Sequence, residues 1–320
     1  MLRRLFSQGK LSPTARSVGD VGPTRLRVLQ IVFDPLIEDE DGRRLTEVFG
    51  WNDPDMLAAG YSTDLQQASG GIACFEVVER VELDEWPAKQ DGFRYDDRGY
   101  LRAWRDRSGF HQPDGVDYHA ILERFDILQR IHQNEIDEVW LFCSPYAGFW
   151  ESTMAGPRAF WCNSPPLADT ETSGRRFVVM GFNYERGVDC MLENFGHRTE
   201  SIMSRVYRYH DGERNRWEHF CRYEQIAPGR ASCGNIHFAP SSTTDYNWGN
   251  QRIVWSDCDD WYSYPDLTGK RRRVHCREWG SGDMRQHHLW WLDHLPRAAG
   301  TSDGVLNNWW RYVLEPDLVE

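Results

Sequence analysis

Apolar and polar positions recur with two different periods over the first two thirds of the chain, and the periods place its elements. Arg25–Asp34 (RLRVLQIVFD) alternates and then runs apolar, which predicts a first strand. Asp53-Pro54 opens a helix, with the aspartate as cap and the proline at the first helical position. That helix runs to about Ala68, where Ser69-Gly70-Gly71 stops it. Ile72–Leu83, rich in Val, Ile and Phe, predicts a second strand. A polar, irregular stretch with Trp86 and Trp104 follows to about Gly115. Asp117 then caps a helix whose Ile121, Leu122, Phe125, Leu128 and Ile131 recur at helical spacing. Asp137–Cys143 and Phe177–Phe182 read as short buried strands, and the second feeds a long helix from about Tyr184. Strands alternating with helices predict an α/β fold, a mixed or parallel sheet with helices packed on it.

Ser144–Gly174 between the last two strands reads as a long loop leaving a strand's carboxyl end, where open α/β sheets place their ligands. From Tyr209 onward the periodicity fades into a long, irregular, Trp-rich half folded against the sheet's edge. The expected organisation is a disordered basic arm over residues 1–24 and a single domain over 25–320. Within the domain, 25–208 forms the sheet-and-helix core and 209–320 the irregular part packed on it.

Composition narrows the function classes. The net charge of −12 argues against a nucleic-acid backbone as partner, since the basic run Lys270–Arg273 is short and follows a turn. No apolar run approaches the length of a membrane span. The leader is Arg-rich and acid-poor before Asp20, without a secretory-type hydrophobic segment, and also suits an address or loading segment. Fifteen tryptophans, most of them after Trp140, suit either a groove that stacks on sugar rings or peptides, or a loop-rich core built from large aromatics. The eight cysteines show no CxxC spacing. Cys74 and Cys143 fall in buried strands, whereas Cys221, Cys233, Cys258 and Cys276 suit disulfides in an exported protein.

The candidate chemistry centres on the long helix. At about 100° per residue, Glu193, His197 and Glu200 share an arc of about 60°, opposite the apolar Val188, Met191, Leu192, Phe195, Ile202, Met203 and Val206. Two carboxylates and an imidazole on one stripe suit a divalent metal or acid–base chemistry. A solvated polar helix face is the competing account. Gly196 beside the stripe costs about 1 kcal/mol relative to Ala and points to a close approach by another segment. His237, in Gly234-Asn235-Ile236-His237, is the further ligand candidate. In the long loop, Tyr146, Trp150 and Trp161 are candidate substrate walls and Glu151 a second catalytic carboxylate. The loops 245–250 and 257–260 are oxygen-rich, and the second offers calcium donors, but neither fits the twelve-residue calcium loop, and both read first as surface Asx-turns. Gln286–His294 reads as a short helix whose histidines and tryptophans pack. Cys143 or Ser152 is a conceivable nucleophile, without an elbow motif or an obvious base.

Two resemblances add to these readings. Glu193-Asn194-Phe195-Gly196-His197 resembles the HEFGH-type helix of the zincin metallopeptidases, over about ten residues. His197 matches a zinc ligand of that helix. Glu193 stands where the first histidine would be, and Asn194 stands in place of the catalytic glutamate. The resemblance implies zinc held by Glu193, His197 and His237, with Glu200 as base or as the partner orienting the imidazole. After residue 25 the chain is also similar to a family of bacterial proteins, often secreted, in GWNDP (50–54), DGFRY (91–95), EIDEVWLF (135–142), MGFNYERGV (180–188), FGHR (195–198), CDDW (258–261) and NNWWRY (307–312). That similarity implies one compact unit and an extracellular setting, and no chemistry.

The leading expectation is a metal-dependent hydrolase, with zinc as the metal and calcium as the alternative, acting on peptide or amide bonds, with Glu200 and Glu151 as catalytic carboxylates. A glycan-active hydrolase with paired carboxylates between aromatic platforms competes with it. So does a non-catalytic binding or toxin-delivery module.

Overall fold

A computed structural model describes residues 22–320. The basic arm expected over residues 1–24 lies outside the described residues except for its last three, of which Thr24 already opens the first strand. The main sheet has five strands: β1 (Thr24–Phe33), β2 (Ala73–Leu83), β3 (Glu138–Cys143), β4 (Ser152–Ala155) and β5 (Phe177–Asn183). Their order is β2-β1-β3-β5-β4, parallel throughout except for β4, which runs antiparallel on the edge. The sheet is therefore mixed, and the fold is α/β. All six residues of β3 are buried, so both of its faces are covered, and it reads as an apolar run instead of an alternation.

Helix α1 (Pro54–Ala68) joins β1 to β2, and its Asp53 cap accepts from the backbone N–H groups of Asp55 and Met56. Helix α2 (Asp97–Asp106) occupies part of the stretch expected to be irregular. It buries Tyr100, Leu101 and Trp104 on one side, and its charged residues conceal that face in the sequence. The helix expected after Asp117 is two, α3 (Tyr118–Arg124) and α4 (Ile127–His132), broken where Asp126 turns to φ 50°. The long helix, α5 (Val188–Val206), begins four residues later than expected. Tyr184 instead extends the sheet, donating its N–H to the Cys143 carbonyl, while its hydroxyl donates to the Phe33 carbonyl.

The edge strand β4 falls inside the expected loop. Pairing with β5, from Ser152 opposite Met180 to Ala155 opposite Phe177, is what makes this short segment a strand. Gly181 permits the approach. A Cβ there would lie 2.3 Å from the Trp150 carbonyl oxygen and 2.6 Å from the Phe149 Cβ.

The C-terminal part contains α6 (Arg216–Phe220), α7 (Met284–Asp293), α8 (Trp309–Leu314) and two short hairpins between long irregular segments. Trp261, Trp279, Trp291, Trp309 and Trp310 are fully buried. Trp217, Phe220, Trp261, Trp291 and Trp309 meet mostly edge to face or tilted, with Trp217 and Phe220 stacked, at centroid distances of 5.2–6.1 Å. These tryptophans build core and do not line a groove. One hydrophobic cluster runs from Leu26 to Val319 and joins the two parts. Arg198 of α5 is tied through that core to Glu138 of β3 at 2.7 Å and to the Val313 carbonyl of α8. All eight cysteines are free thiols. Among the described residues no helix is long and apolar enough to cross a membrane.

Candidate metal centre

Helix α5 follows β5 directly and turns one side to the sheet, burying Met191, Leu192, Phe195, Ile202 and Met203. Asn194 belongs to that side. Its amide donates to the Gly181 carbonyl at 2.9 Å, a structural task at the position that resembled a catalytic glutamate. The opposite side carries Glu193, His197 and Glu200, and it is not a solvated face, since Glu193 is 7 % exposed. The segment 233–239 closes over it. A Cβ on Gly196 would lie 2.3 Å from Ile236 Cδ1 and 2.5 Å from its Cγ1, so the glycine admits Ile236 against the helix. His237, next in the chain, is thereby brought to the stripe.

One potential ligand atom from each of Glu193, His197 and His237 lies within 4.8 Å of the other two. His237 Nε2 is 3.0 Å from Glu193 Oε1, and His197 Nε2 is 4.0 Å from the same oxygen. Tetrahedral zinc with ligand distances of about 2.0–2.1 Å separates its ligand atoms by roughly 3.4 Å, between those two spacings. The far nitrogen of each imidazole is backed by a carboxylate. His197 Nδ1 is 2.9 Å from Glu200 Oε2, and His237 Nδ1 is 3.0 Å from Asp245 Oδ1. Without a metal, His237 Nε2 donates to Glu193 Oε1; with Nδ1 held by a carboxylate, each ring can give up its Nε2 proton and turn that lone pair to a metal beside Glu193. Both oxygens of Glu200 are engaged, because Oε1 also accepts the Ile236 N–H at 3.2 Å.

The chain matches no family model, no curated protein and no solved structure. The site's own chemistry is therefore the guide to function.

Burial alone would lower the His197 pKa, but the Glu200 hydrogen bond and the charges of Glu200, Glu151 and Glu193 outweigh it and raise it above the usual imidazole value. Burial likewise works against the Glu193 anion, and hydrogen bonds from His237 and Tyr246 hold its pKa below the usual carboxylate range. Tyr246 stands over the centre with its ring 4.4 Å from that of His237, at a backbone φ of 57° that bulky residues seldom adopt. Asp245 and Tyr246 belong to a segment expected to be a surface turn. They are functional candidates that the sequence reading missed, and only the pairing with His237 reveals them. His288 of α7 lies within electrostatic reach of Glu193, its Nε2 buried without a partner, and burial pushes its pKa down to about 4.

Glu151, in the turn before β4, lies within electrostatic reach of the centre. Asn163 Nδ2 donates to Glu151 Oε2 at 2.5 Å, and the Asn163 N–H donates to the Ser201 hydroxyl on α5. The Glu151 charge is felt at His197 and Tyr246. Trp150 and Trp161, the neighbours of this carboxylate region, are 50 % and 59 % exposed. Tyr146 is placed elsewhere, stacked on Phe110 with its carbonyl accepting from buried Lys89. Cys143 is fully buried, and burial pushes its thiol up to about 12, so it is not a ready thiolate. The Ser152 hydroxyl is buried and donates to the Cys162 carbonyl. A cavity of about 730 Å³ at the carboxyl ends of β1 and β2 is lined in part by Asp84 and Asp97. Both carboxylates already accept backbone N–H groups, from Leu36 and Glu38, so this cavity offers less chemistry than the α5 centre.

Replacing Gly196 with Ala drives a methyl group into Ile236. The expected loss is about 1–3 kcal/mol of stability together with weaker metal uptake, because the displaced turn carries His237. Denaturant unfolding and zinc titration of the same variant measure the two effects.

Proposed function

We propose that the protein is a zinc-dependent hydrolase, acting on peptide or amide bonds, with Glu193, His197 and His237 as the ligand set. The observation that supports this reading most is the convergence of two imidazole Nε2 atoms on one buried carboxylate, each imidazole backed by its own acid. Three protein ligands leave a fourth position for water or substrate, the pattern of catalytic rather than structural zinc. Bound zinc would polarise a scissile carbonyl and make water a nucleophile near neutral pH.

The chain's own residues divide the remaining work. Glu200 holds the His197 ring and the Ile236 backbone, which makes it a positioning residue. Glu151 is free of the ligand set, held in orientation by Asn163, and is the candidate general base. Trp150 and Trp161 offer exposed aromatic surface beside it for an extended substrate. The same two rings favour, as the second reading, a glycan in place of a peptide, and parallel assays on both substrate classes separate the two.

Elemental analysis of the purified protein tests the reading first. About one zinc per chain at this centre, lost in Glu193→Ala and His197→Ala without unfolding, is the expected result. An absence of bound metal after zinc is added back excludes it. Glu200→Gln should keep the helix folded and weaken zinc binding by about 10–100-fold, the usual effect of removing an outer-shell partner. Competition with a chromophoric chelator measures that change.

A further inference from the structure

A second convergence of donors lies outside this centre and joins segments more than thirty residues apart. Cys258 opens the 3-10 turn Cys258–Ser263, and His294 caps the end of α7. One ligand atom from each of Cys258, Asp259 and His294 lies within 4.8 Å of the other two. Cys258 and His294 are buried, at 0 % and 3 % exposure, and Asp259 reaches in from the surface. The Cys258 Sγ is 3.5 Å from Asp259 Oδ1. His294 Nδ1 sits 2.6 Å from the Trp290 carbonyl and must donate to it, which leaves the lone pair on Nε2. The ring is held by Trp290 at 4.2 Å and Tyr262 at 4.6 Å between centroids. A cationic group already rests against these donors. Arg272 Nη2 is 2.7 Å from Asp259 Oδ1 and 3.9 Å from Cys258 Sγ, and its Nε is 2.5 Å from Asp259 Oδ2. The same guanidinium contacts Glu278 at 2.7 Å.

We propose that Cys258, Asp259 and His294 form a second metal site, for a thiophilic divalent cation such as zinc, that ties the 258–263 turn to the end of α7. Thiolate, imidazole and carboxylate together are a zinc donor set and a poor one for calcium, which takes oxygen ligands throughout. The acid-rich segment 257–260, which by sequence suggested calcium, thus contributes one sulfur and one oxygen to a softer site. On binding, Cys258 loses its proton to solvent, and Arg272 gives up Asp259 while keeping Glu278. Arg272 is therefore the competitor of the metal. Two of the three ligands are buried and come from two elements, so a bound metal would join the 258–263 turn to the end of α7, with its fourth position left to water.

Cobalt and zinc titrations of the full chain carrying His197→Ala and His237→Ala test this independently of the first centre. Expected is uptake of about one Co²⁺ with a thiolate-to-cobalt charge-transfer absorption in the near ultraviolet. The first centre, built of nitrogen and oxygen donors alone, cannot give that band. The band should vanish on adding Cys258→Ser or His294→Gln and strengthen at limiting cobalt on adding Arg272→Ala. Zinc should raise the melting temperature of the double variant and leave that of its Cys258→Ser derivative unchanged. No sulfur band in the double variant, or a band that survives both Cys258→Ser and His294→Gln, overturns the proposal. If Cys258→Ser does not fold, His294→Gln and Arg272→Ala decide the matter. Loss of zinc from the first centre alone would leave these results untouched.

Discussion

Glu151→Gln should retain its zinc and lose turnover by about 10²–10⁴-fold, the usual contribution of a general base, whereas His237→Ala should lose the zinc and the turnover together. The difference follows from where the two side chains are held. His237 Nε2 faces Glu193 directly and its Nδ1 is fixed by Asp245, so removing the imidazole deletes a ligand and leaves two. Its loss should weaken binding by more than the roughly 10–100-fold typical of an outer-shell change. Glu151 makes no contact with the Glu193 carboxylate among the described hydrogen bonds. It is anchored through Asn163 to Ser201, one turn beyond His197 on α5. Glutamine at 151 keeps the size and the Asn163 contact but cannot accept a proton. Zinc content and hydrolysis of peptide and glycan panels, measured on the same preparations, check both halves. Equal loss of zinc in the two variants would move Glu151 into the ligand set. Full turnover in Glu151→Gln would remove it from the chemistry.

The largest effect on stability is expected at Arg198. Its guanidinium is 1 % exposed and lies 2.7 Å from Glu138, itself 2 % exposed, while it also donates twice to the Val313 carbonyl. Arg198→Met strands the Glu138 carboxylate in the core, where among the described residues Trp140 Nε1, at 2.8 Å, is the side-chain donor that remains. Breaking such a pair from one side costs about 3–5 kcal/mol, because the leftover charge is buried without compensation. Removing both charges in a Glu138→Gln, Arg198→Met double variant should recover much of that loss. Chemical denaturation of the two single variants and the double variant gives the coupling directly. A single variant within 1 kcal/mol of the parent would mean that water reaches the pair. The pair also bears on the metal centre, since Arg198 fixes the helix whose other side presents Glu193 and His197.

Much of the scaffold was legible because its signals are local. The Asp53-Pro54 start, the Ser69-Gly70-Gly71 stop and the apolar runs of β1, β3 and β5 depend on residues within a few positions of one another. The stripe of α5 was legible for the same reason, since a helix places residues three and four apart on one side whatever surrounds it. Gly196 added a hint that the stripe was covered, and the Ile236 contact is what covers it. The concealed elements have other causes. The apolar face of α2 rests on four residues, Tyr100, Leu101, Ala103 and Trp104, in a short and otherwise polar and charged helix, and β4 is four residues long and defined by its partner.

The sequence by itself determined which residue types stand on the α5 stripe and that an α/β sheet leads into it, while the antiparallel edge strand that makes the sheet mixed came from the tertiary structure. Only the tertiary structure decided which of those groups meet. Asp245 backs His237, Asn163 holds Glu151, and Glu200 spends both oxygens on positioning, although nothing in their local sequence distinguishes them from surface polar residues. The same holds for Tyr146, placed against Phe110, and for Cys258, brought to His294 across 36 positions of chain. Helical periodicity is a property of the backbone and survives any environment. A ligand set instead depends on which segments close over one another, and that is fixed by packing of the whole core.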